Sequence, residues 1–173
     1  MRWKLQLKGV WQMVIKKYDR ASAAQYAQRW ALGRNPKYYD FEGIGGDCTN
    51  FISQCVFAGS GIMNYTPVFG WYYISSSQRT ASWTGVQYFY NFLTQNKSVG
   101  PFASEVPEEK AEPGDVIQLG GENGVFYHTL MITATQPEIL VCAHTFDALD
   151  RPLSSYYYFQ SRFLHIEGVR AWQ

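Results

Sequence analysis

Apolar positions recur at helical spacing over three stretches in the first half of the chain and alternate at strand spacing in the second half. In the first stretch Ala23, Tyr26, Ala27, Trp30 and Ala31 fall at i, i+3, i+4, i+7 and i+8, one face of a helix. Asp19 stands ahead of it as an N-cap, and Gly33 with Asn35-Pro36 stops it. In the second, Phe51, Ile52, Cys55 and Val56 form an apolar stripe on a helix starting near Cys48, running to about Phe57 and ending at Gly59 or Gly61. The third, from Trp83, carries Val86, Phe89, Tyr90 and Leu93 and closes at Asn96 or Gly100. Between the second and third, Met63 to Ser82 shows no period. A connection of that length in a compact domain has a function or hidden structure of its own.

Strand spacing takes over after Pro113-Gly114-Asp115. Val116 to Leu119 reads as a strand, Gly120 to Gly124 as a turn, and Phe126 to Ala134 as a second strand. Gln136-Pro137-Glu138 reverses the chain into a hairpin partner over Ile139 to Thr145. One or two more strands follow across Ser154 to Gln160 and Arg162 to Val169. Helices first and an antiparallel sheet afterwards make an α+β class. At 173 residues, with no repeat or linker to divide it, the chain reads as one domain spanning 1–173. Residues 1–17 carry no clear period and stand as a basic N-terminal arm.

Composition narrows the function classes. The net charge is +1, so nothing global points to nucleic acid or an anionic membrane. Five Lys or Arg and no acid lie within residues 1–18, a segment best read as a solvated arm. No stretch is apolar and long enough to span a bilayer, and no secretory signal pattern is present. A cytoplasmic protein, or one delivered to an envelope or spore by another route, is expected. Nothing in the pattern points to a particular oligomeric state. Aromatics reach 17%, a surplus that can fill a core or line a groove. Three cysteines with no CxxC pair argue against both a disulfide scaffold and a cysteine-based zinc site.

Cys48 follows Gly45-Gly46-Asp47 at the expected start of the second helix, with Asp47 placed to cap it. There the dipole and free amides favour a thiolate, the nucleophilic form. A lone cysteine is more often a buried filler, and Cys55 and Cys142 read that way, one on a helix face and one in an apolar strand. A cysteine nucleophile wants a base beside it. Of the three histidines, His165 reads as structural. His128 and His144 lie on the two arms of the expected hairpin, and their numbers centre on residue 136, which places them opposite one another, with Cα atoms roughly 4.5–5.5 Å apart. One imidazole then orients the other. A zinc site from His128, His144 and Cys48 or Asp147 ranks below this dyad, because no close-spaced ligand pair anchors it.

Tyr18-Asp19-Arg20, Asn35-Pro36-Lys37-Tyr38, Gly46-Asp47-Cys48-Thr49-Asn50-Phe51-Ile52-Ser53-Gln54, the Trp83 helix, Gly114-Asp115-Val116-Ile117, the His128 strand and Ala143-His144-Thr145 resemble the putative amidase domain family of Gram-positive bacteria. That family is similar to the papain-like CHAP and NlpC-type cysteine amidases and peptidases. The resemblance implies a papain-like fold, with the nucleophile helix packed on an antiparallel sheet. It implies Cys48 as nucleophile, His128 as general base and His144 as the orienting third member, with Asp147 the rival for that place. No cofactor is implied, and the substrate would be a peptide or peptidoglycan-like amide. Tyr38 and Tyr39 are candidates to lie beside the nucleophile, Trp71, Tyr72 and Tyr73 to wall a substrate groove, and core packing competes for each. An acyltransferase on the same site, or a non-catalytic wall or spore-coat binding module, are the competing readings.

Overall fold

The computed structural model describes residues 11–173. The elements run in the order β1 (Met13–Lys16), α1 (Arg20–Trp30), α2 (Cys48–Ser60), α3 (Ala81–Thr84), α4 (Val86–Gln95), β2 (Gly100–Val106), β3 (Val116–Gly120), β4 (Phe126–Ala134), β5 (Leu140–Ala143), β6 (Ala148–Pro152) and β7 (Gln160–Trp172). The protein is α+β, as its patterning predicts. Its seven strands form an antiparallel sheet in the order β1-β7-β3-β4-β5-β6, with β2 also paired to β7. The 13-residue β7 is the spine of the sheet, because its length lets β3, β2 and β1 share it.

The sheet has two differently covered faces, set by alternation along its strands. Val116, Met131, Cys142, Leu164 and Ile166 face the helices and pack with Phe51, Ile52, Cys55 and Val56 of α2. Ile117, Leu119, Leu130, Ile132 and Val141 take the opposite face, closed by Ala148, Leu153, Tyr156 and Tyr158. Helix α2 is buried nearly all round, and its end is fixed by Gly61 at φ 64°, a left-handed position where glycine carries no Cβ penalty. Helices α1 and α2 approach so closely at Gly59 that a Cβ there would meet the Tyr18 ring at 2.5 Å and the Asp19 carbonyl at 2.7 Å. Asp19 caps α1 as expected, its carboxylate accepting from the Ser22 amide at 3.0 Å.

Three strands escaped the pattern. Strand β1 has only four residues, β2 lies in a mixed polar stretch, and β6 follows β5 across a tight turn with Thr145 and Phe146 at positive φ. That turn also shortens the predicted strand Ile139 to Thr145 to β5. The aperiodic Met63 to Ser82 segment holds two isolated bridges, Asn64 with Trp71 and Tyr73 with Arg79. The basic arm divides: residues 13–16 are β1, and residues 1–10 lie outside the described residues.

Candidate functional site

Cys48 is the first residue of α2 and is only 7% exposed. Two glycines at φ 107° and 98° bring the chain to it, and Gly46 passes so close to Thr145 that a Cβ would sit 3.1 Å from its hydroxyl. The Thr49 hydroxyl oxygen is 3.8 Å from the sulfur, and the backbone amides of Thr49 and Thr129 lie beside it. The amide of Thr129 is available at that point because β5 leaves the sheet after Ala143, before it would pair with Thr129. These donors favour the thiolate, but removal from water outweighs them and pushes the Cys48 thiol above its ordinary range. The expected activation by the helix terminus is therefore reversed in the resting protein. Cys55 and Cys142 are fully buried in the core, as their patterning indicates.

Asp47 holds the N-cap position of α2 as expected, but its side chain makes no capping hydrogen bond to the helix amides. Its buried carboxylate instead accepts from the Phe41 amide at 3.0 Å, the Asn50 side chain at 2.8 Å and His144 Nδ1 at 2.6 Å. The other ring nitrogen of His144 meets the Trp30 carbonyl at 2.9 Å, and the ring stacks on Phe51 with centroids 3.7 Å apart. Both ring nitrogens of His144 are thus engaged, one with the Asp47 carboxylate and one with a backbone carbonyl. The pair ties the end of α1, the start of α2 and the turn after β5 together.

The expected pairing of His144 with His128 fails for this reason. Both nitrogens of His144 are committed elsewhere. The hairpin register matches Met131 with Cys142 and Ile132 with Val141, slips before Ala134, and ends at the Met131–Cys142 pair. Asp147, the rival, pairs with Arg34 at 2.9 and 3.0 Å and does not orient His128 either.

His128 is the first regularly paired residue of β4 after a bulge, opposite Leu119. Bulges re-aim the side chains beside them. Thr129 faces α2, so His128 turns toward the other face, with the Tyr156 ring 6.1 Å from its own. The Tyr156 hydroxyl is buried without a partner. Neither ring nitrogen of His128 makes a hydrogen bond among the described residues, and neither is among the fully buried unpartnered atoms. His144 and His165, by contrast, are engaged with Asp47 and Asp115. Burial, and secondarily the charge of Arg151, lower the His128 pKa from 6.5 to about 4. The structure thus brings Cys48 against Thr129, the residue next to His128, without a hydrogen bond between thiol and imidazole.

The aromatic candidates separate. Trp71 is 0% exposed and donates to Ser53 Oγ at 3.0 Å inside the core, so it walls no groove. Tyr38 stacks on Trp83 and packs against Tyr73. Tyr72 is half-buried and packs on Tyr65. Tyr73 spends its hydroxyl as acceptor for the Tyr39 amide at 2.8 Å. Tyr39 keeps an exposed ring, and its carbonyl accepts from Asn50 of α2 at 3.1 Å. With Phe41, Ile44, Ser76, Ser77 and Arg79 it lines a cavity of about 340 Å³. Among the described residues no group of three or more His, Cys, Asp or Glu side chains is placed to hold a metal ion, and no helix is long and apolar enough to cross a membrane.

Sequence alone passed over Thr49, Thr129, Gln118 and Arg162, which meet in one buried polar row. The signal was available in Val116-Ile117-Gln118-Leu119, where alternation puts a glutamine on the helix-facing side with Val116.

Residues 17–166 match the family model described as putative amidase domain. The chain is 36% identical over 136 residues to the uncharacterized protein YhbB of Bacillus subtilis (strain 168), a match covering 76% of this chain and 42% of that protein. The chain therefore spans less than half the length of that relative. No solved structure matches it.

Proposed function

The chain belongs to the putative amidase domain family, and from that premise we propose that it hydrolyses amide bonds through a Cys48 thioester, with His128 as general base, on a papain-like arrangement of helix and sheet. The observation that carries this reading is the place of Cys48, the first residue of α2 beyond a Gly-Gly turn with the Thr49 hydroxyl 3.8 Å from its sulfur, while Cys55 and Cys142 lie within the core.

Burial raises the thiol and lowers the imidazole, so the resting pair is uncharged at neutral pH. The proton then moves during attack rather than before it. The Cys48 sulfur bonds to the amide carbonyl carbon as its proton passes to His128. His128 returns that proton to the leaving amine, and water, deprotonated by the same ring, releases the acid. The Cys48 amide, one of the first-turn amides of α2 that have no partner within the helix, supplies one oxyanion donor. Because His128 lies on the sheet face that carries Tyr156, its ring must turn to the α2 face in the substrate complex, a movement that breaks no His128 hydrogen bond among the described residues. Peptide amides of the peptidoglycan stem are the proposed substrate, on the family's resemblance to the CHAP and NlpC-type enzymes. The exposed ring of Tyr39 beside the 340 Å³ cavity is the proposed contact for it.

The test is hydrolysis of purified muropeptides, followed by chromatography of released amines. Loss of product in Cys48→Ala and His128→Ala, with Cys55→Ala active, supports the reading. Activity retained in Cys48→Ala removes it.

A further inference from the structure

We infer that Arg162, Gln118, Thr129 and Thr49 form a one-way hydrogen-bond relay that fixes the Thr49 hydroxyl proton on the Cys48 sulfur. This inference rests on the reading of Cys48 as the nucleophile, and it gives that thiol an activating device which the helix terminus alone does not provide.

The relay follows from register. Gln118 of β3 is paired with Arg162 of β7 on one side and Thr129 of β4 on the other. Three polar side chains therefore stand in a row across neighbouring strands, on the sheet face that packs against α2. Thr49 of α2 completes the row, its hydroxyl oxygen 2.9 Å from that of Thr129. Gln118, Thr129 and Thr49 are 0% exposed. Buried polar groups in an otherwise apolar face are costly unless each is satisfied, and here each has a partner.

The direction at the Arg162 end is set by chemistry, and the two hydroxyls carry it on. A guanidinium only donates, so the oxygen of Gln118 must face Arg162, whose Nε lies 2.8 Å from it. The amide nitrogen of Gln118 faces the Val86 carbonyl at 2.9 Å, an acceptor, which fixes the same orientation independently. Its second hydrogen points to Thr129 Oγ1 at 3.4 Å. With its oxygen accepting from Gln118, the Thr129 hydroxyl donates onward to Thr49 Oγ1. Thr49 then has one proton left and one acceptor in reach, the Cys48 sulfur at 3.8 Å. A positive charge anchors the far end: Arg162 is clamped between the rings of Tyr90 and Phe126, 3.5 and 3.8 Å from their centroids. Each bond polarises the next.

The same arrangement explains why the sulfur keeps donors despite burial. The other charged and titratable groups around it are Asp47 beside it, His144 and Arg34 on Asp47, and His128 next to Thr129. Asp47 opposes the thiolate by its charge. Thr49 touches the reacting atom, whereas Thr129, Gln118 and Arg162 are positioning residues acting through it.

The experiment is the pH dependence of iodoacetamide alkylation at Cys48, located by peptide mass spectrometry, in the full chain and in Thr49→Val, Thr49→Ser, Thr129→Val and Thr129→Ser. Valine keeps the shape of threonine and deletes the hydroxyl. Below the thiol pKa the rate follows the thiolate fraction, so loss of the direct donor in Thr49→Val slows labelling at pH 8 by about tenfold, equivalent to about one pKa unit. Thr129→Val slows it by about threefold, and both serine variants label at the wild-type rate. Thermal unfolding of each variant is recorded alongside. A drop in stability with unchanged labelling in both valine variants makes the row purely structural and overturns the inference. Slowing in Thr49→Val with none in Thr129→Val overturns the relay as well. Because labelling is read without substrate, it is independent of the muropeptide assay. Retained hydrolysis in Cys48→Ala strikes the nucleophile reading, and the alkylation series strikes only the relay.

Discussion

Replacing His128 with glutamine removes an imidazole held neutral by burial, and its effect on stability can be worked out in sign and size. In the folded chain the imidazole resists protonation until about pH 4, while in the unfolded chain it protonates near 6.5. Between those values the unfolded state binds more protons, so stability falls as pH falls. Each pH unit in that window costs about 1.4 kcal/mol, which gives about 2 kcal/mol at pH 5 and about 3 kcal/mol below pH 4. Above pH 6.5 the contribution is complete and the curve is flat with respect to this group. The assay is urea unfolding followed by tryptophan fluorescence from pH 7.5 to 4.5 at constant ionic strength, for wild type and His128→Gln. Carboxylates titrate in both proteins, so the difference between the two profiles isolates the ring. Wild type should lose about 2 kcal/mol more than the variant between pH 7.5 and 5. Superimposable profiles would refute the claim that burial holds His128 neutral, and with it a base that stays competent well below pH 6.5.

Removal of the Asp47 carboxylate in Asp47→Ala takes the buried acceptor from His144 Nδ1, the Phe41 amide and the Asn50 side chain together, and should cost about 3–5 kcal/mol by urea unfolding. Asp147→Ala, which loses only a partly exposed pair with Arg34, should cost under about 1 kcal/mol in the same assay. Gly59→Ala puts a methyl within 2.5 Å of the Tyr18 ring and should destabilise by about 1–3 kcal/mol, read as a fall in Tm with the α1–α2 contact forced apart. Trp71→Ala empties a fully buried site and should cost about 3–5 kcal/mol; a change below about 1 kcal/mol would mean that Trp71 does not carry the core as the structure places it.

How much of this was legible in the sequence depends on what carried the signal. Helices α1, α2 and α4 and strands β3 and β4 were readable because their buried faces are written in period 3.6 or 2. Asp19 was readable as a cap, and Gly61 as one of two possible ends of α2. Strands β1 and β2 were not, since both are held by the long β7 from far along the chain, and pairing at that separation leaves no local period. The site was legible at Cys48 and at the two histidines as residue types, and illegible in its wiring. His144 goes to Asp47 because Thr145 and Phe146 at positive φ turn the chain out of the sheet one residue after Ala143, a feature that hairpin arithmetic does not contain. Asp47 resembles a cap in sequence, yet its carboxylate is claimed by the Phe41 amide, the Asn50 side chain and, from far along the chain, His144. The direction of the Cys48 pKa was misread for a related reason: a helix start is visible in sequence, whereas the burial that outweighs it is a property of the assembled core. Trp71 stood in an aromatic cluster that a groove or a core could equally use, and its place beside Ser53 decided for the core.

The most direct test of the central claim is a rapid quench of the protein with an amide or activated-ester substrate, followed by mass spectrometry of the peptide that carries Cys48. The account predicts a mass increase equal to the acyl group on Cys48, absent in Cys48→Ala, and accumulating in His128→Ala when an activated ester bypasses the first proton transfer. Substrate turnover with no acyl group on Cys48 in any of these proteins would contradict it.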